Sequence, residues 1–353
     1  MNNGKIIRVV VAEDSPTARM LIVAMLESDP DITVVGQART GAEAVTMVEQ
    51  LAPDLVTMDV QMPELDGLEA TKRIMNRSPR PIIIVSSQAR ERVVALSLEA
   101  MRAGALLVLA KPEGAQSAAF EGDRRQLVSM VKAMAQVKVV RRWGARESSD
   151  GAPQLTLPQT TRSAGLVRLV AIAASTGGPA ALRDILSALP AQFPVPILVV
   201  QHIAKGFVAG LAQWLNASSH LSVKVAEDGE VARRGSVYVA AEDQHLGVTA
   251  VGKELRIALS RGDPIGSFRP SATAMFQSVA SLGKGVLAVI LTGMGDDGVA
   301  GLRAVRASGG HVLAQDEASS VIYGMPREAI RAGVADAVVP LLEMPRRMVE
   351  AVA

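Results

Sequence analysis

Three stretches hold the residue types that serine hydrolysis needs, each where an apolar run ends. The first is Ala173–Ala174–Ser175–Thr176–Gly177–Gly178–Pro179, between a strand-like run and a helical one. A serine on such a turn stands out at the top of a sheet, where helix-start amides serve negative charge. The turn approximates the strand–turn–helix elbow of a nucleophilic serine, with Ala173 in place of its first glycine. Read alone, these residues are better explained as a Ser or Thr helix cap before Pro179. The second run ends in Val199–Val200–Gln201–His202. Of four histidines, His220 and His245 fall in polar or alternating sequence and His311 begins a run, so only His202 sits at such an end. The third run, Val286–Thr292, leads into Gly293–Met294–Gly295–Asp296–Asp297–Gly298. Asp297 has the chemistry to orient His202 and to favour the imidazolium formed as Ser175 loses its proton.

Gly293, Gly295 and Gly298 also fit the G-x-G-x-x-G of a dinucleotide fold, with Asp316–Glu317 near the place of a ribose-binding acid. Two carboxylates between those glycines would face a pyrophosphate of like charge. Only 55 residues follow Gly298, too few for the second half of such a fold. Charge and length both argue against dinucleotide binding.

A second constellation is acidic. Glu13 and Asp14 follow one apolar run, Asp59 ends another, and Ser86–Ser87 and Lys111–Pro112 end two more. At about 5 Å and an effective dielectric of 20, two carboxylates repel by roughly 3 kcal/mol. Such crowding needs a cation, and oxygen ligands with water suit Mg²⁺. One carboxylate then serves as nucleophile toward a phosphoryl group, with the metal and Lys111 neutralising its oxygens. Any one acid alone reads as a solvated strand end; convergence at several ends reverses that.

These positions make sense only if the runs are parallel strands, whose C-terminal ends share one crevice. Ile6–Ala12, Ile32–Ala38, Leu55–Asp59, Ile82–Ser86 and Ala105–Ala110 read as strands. Helical patterns over Ser15–Ser28, Gly41–Leu51, Gly67–Asn76, Arg90–Ala103 and Asp123–Ala135 complete five βα units. A second series follows, with strands Leu166–Ala174, Ile197–Gln201, Val286–Thr292 and Val312–Gln315. Val237–Ala240, Leu246–Ala250 and Leu255–Leu259 alternate between glycines and read as an antiparallel insertion, with a hairpin turn at Gly252–Lys253. The expected fold is therefore α/β, with two doubly wound parallel-sheet domains. Residues 1–135 and 166–353 form these domains, the second Rossmann-like. A Gly-, Ser- and Pro-rich linker spans 136–165, and its basic residues Lys138, Arg141, Arg142 and Arg146 read as a solvated hinge.

Composition agrees. With 353 residues, 49% hydrophobic and 20% charged, the chain suits two globular domains. It has no cysteine, which excludes thiol nucleophiles and cysteine-held metals and suits a reducing cytoplasm. A net charge of +2 gives no case for nucleic acid or membrane binding. No apolar run reaches the roughly 18 residues of a membrane span.

Residues 6–135 resemble a bacterial response-regulator receiver domain, on the pattern Asp59–Val–Gln–Met–Pro–Glu–Leu–Asp–Gly67. The resemblance implies phosphorylation of Asp59 by a chemotaxis histidine kinase, Mg²⁺ held by Glu13, Asp14 and Asp59, and phosphoryl sensing by Ser86 and Lys111. Glu13 stands where Asp is commoner, which should move the ion slightly. Val108 replaces the aromatic switch residue of many receivers.

Residues 166–345 resemble the chemotaxis protein-glutamate methylesterases, the CheB family. The motifs are Ala-Ser175-Thr-Gly-Gly, Gln201-His202, Arg269-Pro270-Ser271, Leu291-Thr-Gly-Met-Gly-Asp-Asp297-Gly and Gln315-Asp-Glu-Ala-Ser through Glu328. This implies Ser175, His202 and Asp297 as a triad, Thr176 and Met294 as neighbours, and the Met294 amide as an oxyanion donor. It further implies demethylation of glutamyl methyl esters on chemoreceptor cytoplasmic domains, with deamidation of receptor glutamines by the same chemistry. The ester chemistry needs no cofactor, and a cytoplasmic monomer is expected. A non-flagellar chemosensory esterase, or a phosphorylation-controlled binding module, would share these features. Thr273 replaces a common Asp, and Gly266–Ser267–Phe268 lacks histidines common in the family. Both departures are expected to bear on substrate docking and to leave the triad untouched.

Overall fold

The computed structural model describes residues 6–86, 97–135 except 102, 113, 115, 116, 118 and 119, then 137 and 167–353. The chain divides into two compact units, Met1–Ser149 and Asp150–Ala353. The linker expected over 136–165 and most of the helix expected over Arg90–Ala103 fall outside the described residues, though 97–101 are helical.

In the first unit β1 (Ile7–Ala12), β2 (Ile32–Ala38), β3 (Leu55–Met58), β4 (Ile82–Ser86) and β5 (Leu107–Ala110) form one sheet in the order β2-β1-β3-β4-β5. All its pairings are parallel. Val9–Val11 and Ile82–Ile84 are wholly buried, as continuous apolar strands are when helices cover both faces. Ser15, Thr40 and Asp66 cap the helices Pro16–Glu27, Gly41–Leu51 and Gly67–Arg77, each side chain accepting an amide of the first turn.

The second unit adds β6 (Leu169–Ala174), β7 (Ile197–Gln201), β8 (Ser222–Val225), β9 (Ser236–Val239), β10 (His245–Val251), β11 (Glu254–Ser260), β12 (Val286–Ile290), β13 (His311–Gln315) and β14 (Ala337–Val339). Seven of these make a sheet in the order β14-β13-β12-β6-β7-β9-β8, parallel throughout. Strand order reverses at β6, which lies between β12 and β7, and such a point opens a crevice at the strand ends.

Among the described strands only β10 and β11 pair antiparallel, around Gly252 at φ +61°. Val237–Ala240 therefore does not join an antiparallel insertion: β9 runs parallel to both β7 and β8. Residues 226–235 are too long for a hairpin and carry the chain back along β11, where Gly229 and Ala232 amides donate to Ile257 and Leu255 carbonyls. The β10–β11 hairpin packs its buried Leu246, Val248 and Ile257 with Phe276 of the helix Ala272–Ala280, in the core that includes β6, β7 and β12. That helix starts beside the loop carrying Asp297.

Candidate active site

The parallel ladder places the candidate residues. Ala174 of β6 pairs with Gln201 of β7, so Ser175 and His202 are the next residues at neighbouring strand ends. Hydrogen bonding continues past the strands: His202 N donates to Ala174 O at 3.0 Å, and Ser175 N to Thr292 O at 3.0 Å. Gln201 is buried, and its Nε2 donates to the carbonyls of Ser175 (2.8 Å) and His202 (2.7 Å), tying the two turns together. Thr292 Oγ1 donates to Thr176 O at 2.9 Å and binds the β12 end to the same turn. Such packing needs glycine at two points. A Cβ on Gly178 would meet Gln201 Oε1 at 2.0 Å, and one on Gly293 would meet Met325 Sδ at 2.4 Å and Ser175 Cβ at 2.7 Å. Gly293 thus serves close packing within the protein, not the approach of a pyrophosphate.

Asp297 is buried at the N-terminus of the helix Ala272–Ala280. Its Oδ1 accepts from Ser271 Oγ (2.8 Å) and the Thr273 amide (3.0 Å), and its Oδ2 from the Ala272 amide (2.7 Å). His202 Nε2 stands 2.9 Å from Oδ2, an ion-pair distance. Burial by itself would raise the Asp297 pKa. His202 and the Thr273 and Ala272 amides outweigh it and lower the pKa to about 2. The carboxylate is thus held ionised beside the imidazole. His202 Nδ1 has no partner among the described residues. This reverses the ring orientation of the chymotrypsin-type arrangement, where Nδ1 faces the carboxylate. Thr176 is buried under the same turn, whereas Met294 is 39% exposed at the loop tip.

The two departures noted from sequence do touch this site, contrary to expectation. Thr273 is buried: its amide donates to Asp297, and its Oγ1 accepts the Gly298 amide at 2.8 Å, so it pins the aspartate loop. Phe268 stacks on His202, with ring centroids 4.2 Å apart and planes 9° from parallel. Sequence reasoning missed Ser271, Thr273, Phe268 and the lashing role of Gln201. The Arg-Pro-Ser segment and the glutamine before His202 were visible as motifs, but nothing local says that they contact the Asp297 and Ser175 loops.

The first unit gathers its acids as expected. Ligand oxygens of Glu13, Asp14 and Asp59 lie within 4.8 Å of one another, a hard-oxygen set that fits a divalent cation. Lys111 Nζ donates to Asp59 Oδ2 at 2.7 Å and to Glu13 Oε1 at 3.0 Å. Burial, then the charge of Asp59, pushes the Glu13 pKa up. Burial likewise raises Asp59, with Lys111 opposing it. Burial disfavours the Lys111 ammonium, but hydrogen bonds to Asp59 and Glu13 outweigh that and raise its pKa. Ser86 Oγ is buried at the end of β4 with no partner among the described residues, a donor in reserve beside this pocket. Arg19 is buried and its Nη1 donates to Glu13 O at 2.7 Å, fixing the backbone of the acid pair.

Comparison with known proteins now bears on both units. The CheB methylesterase family model matches residues 170–348, and the response regulator receiver domain model matches 9–118. A protein-glutamate methylesterase/protein-glutamine glutaminase of Myxococcus xanthus is 54% identical over 98% of this chain and 97% of its own length. One from Anaeromyxobacter dehalogenans is 50% identical over 94% of this chain and 95% of its own. The crystal structure of the Thermotoga maritima CheB methylesterase catalytic domain is similar at TM-score 0.51 and 42% identity, covering 52% of this chain and 98% of that one. The chain belongs to the CheB methylesterase family and joins that domain to a response regulator receiver domain.

Proposed function

We propose that this protein is a phosphorylation-regulated serine hydrolase that removes methyl groups from glutamyl methyl esters of chemoreceptor cytoplasmic domains. The single observation that carries the reading is His202 Nε2 at 2.9 Å from the ionised Asp297, on the strand end next to Ser175. Ser175 Oγ attacks the ester carbonyl while His202 Nδ1 takes its proton, and Asp297 favours the imidazolium that results. The imidazolium returns the proton to departing methanol, and water, deprotonated by the same nitrogen, cleaves the acyl-enzyme. The Thr176 and Met294 amides are assigned to the oxyanion, where loss of one donor typically costs about 3 kcal/mol. A glutamine side chain follows the same course with ammonia as leaving group, in keeping with the glutaminase half of the relatives' names.

In the receiver, Asp59 is the phosphoacceptor, Ser86 and Lys111 contact the phosphoryl oxygens, and a chemotaxis histidine kinase is the donor. Glu13, Asp14 and Asp59 hold Mg²⁺, which when bound neutralises charge on the transferred phosphoryl group. Residues 1–135 and 166–353 are taken as the two domains, with 136–165 as linker. The unphosphorylated receiver restrains the hydrolase, and phosphorylation at Asp59 shifts that equilibrium. The protein is taken to act as a cytoplasmic monomer; no helix among the described residues is long and apolar enough to cross a membrane.

The test is methanol release from methylated receptor. Ser175→Ala is expected to stay folded by circular dichroism and to release none. Retained turnover by that variant refutes the nucleophile.

A further inference from the structure

We infer that Phe268 is a positioning residue for His202: its ring holds the imidazole plane and screens it from water. This rests on the reading of Ser175, His202 and Asp297 as the catalytic set.

Among the described residues the His202 ring has one polar contact, Nε2 to Asp297 Oδ2 at 2.9 Å, and Nδ1 has no partner. An imidazole held by a polar contact at one nitrogen alone is free to tilt about it. A misplaced base is costly, since an error of about 1 Å can lower a rate by about 100-fold. The missing constraint is supplied across the ring face by Phe268, 4.2 Å away and within 9° of parallel. The His202 side chain is left 11% exposed. The face of a phenyl ring also attracts cations, which favours the imidazolium formed as Ser175 is deprotonated.

Phe268 is itself held. Ile265 and Phe268 exchange both backbone hydrogen bonds, each 3.2 Å, around a tight turn in which Gly266 takes φ +62°. Three residues later, Ser271 donates to Asp297. One short segment thus touches both members of the His–Asp pair and fixes their relation. A packing role in the core is a poorer explanation: Phe268 is only half-buried, its turn neighbours are exposed, and the buried core cluster does not include it.

The experiment measures kcat and KM for methanol release from a methylated receptor cytoplasmic fragment, using full-length protein. Phe268→Ala is expected to lower kcat by about 10- to 100-fold with KM within about twofold. Phe268→Tyr restores kcat to within about threefold, and Phe268→Leu, which covers the ring without an aromatic face, does not. Unchanged kcat in Phe268→Ala, a change in KM alone, or full recovery with Leu overturns the inference. Should the Ala variant fail to fold, Leu against Tyr carries the same test. Ser175→Ala separates the two levels. If it is active, the catalytic set is wrong; if it is dead while Phe268→Ala is fully active, only this inference fails.

Discussion

The two halves of the chain solve opposite electrostatic problems with the same architecture. Each gathers its chemistry at the C-terminal ends of parallel strands, at the receiver's β1–β3 junction and at the ends of β6, β7 and β12. In the receiver, three carboxylates crowd together and one lysine answers them; burial pushes Glu13 and Asp59 above the ordinary values of 4.5 and 3.8. In the hydrolase, one carboxylate is met by a hydroxyl, two amides and an imidazole, and its pKa falls to about 2. The first pocket has too little positive charge of its own, and its oxygen set fits a divalent cation. The second holds its carboxylate in a complete set of donors before substrate arrives, as electrostatic preorganisation requires.

The largest expected effect tests that completeness. Asp297→Asn should lower kcat by about 10⁴-fold, as carboxylate removal does in related triads, with methanol release as the readout. Activity within tenfold of the parent would make Asp297 a structural cap and nothing more. Ser271→Ala should cost less, about 2 kcal/mol of stability from the lost bond to a buried carboxylate, read by denaturant unfolding. Its kcat should fall as well, because one of the donors that fix Asp297 is gone. A stability loss with unchanged kcat would confine Ser271 to helix capping.

Acid titration separates the halves by sign. Asp297, with its pKa depressed, contributes stability of about 2 kcal/mol above its ordinary pKa of 3.8, lost as pH falls through about 2. Glu13 and Asp59, with pKa values raised, contribute stability below their ordinary values, lost as pH rises through their folded values. Asp59→Asn should therefore flatten the pH dependence of receiver unfolding above the ordinary carboxylate value of 3.8, and Asp297→Asn should flatten that of the hydrolase below it. The same slope in both variants would remove the contrast. Mg²⁺ alone tests the receiver's side of the contrast. At about 100 times its Kd it should stabilise the receiver by about 2.7 kcal/mol, and Asp59→Asn should abolish the shift in calorimetry.

Much of this was legible in the sequence, because a parallel α/β fold delivers residues to strand ends that local patterns reveal. Ser175, His202 and Asp297, and likewise Glu13, Asp59 and Lys111, each close an apolar run or follow one closely. What supports them was not legible. Ser271, Thr273 and Phe268 act through contacts with loops that start at distant strands, and no local period encodes a tertiary partner. The direction of β9 was misread for a similar reason: alternating residues announce a strand but not the neighbour that pairs with it. The short strand β14 covers only Ala337–Val339, too brief to show a period.

The most direct measurement is to trap the acyl-enzyme. Full-length protein mixed with a methylated receptor peptide, quenched in acid and digested for mass spectrometry, should carry the glutamyl adduct on Ser175. Adduct formation should collapse in His202→Ala. An adduct on another residue, or undiminished acylation without His202, would contradict the account.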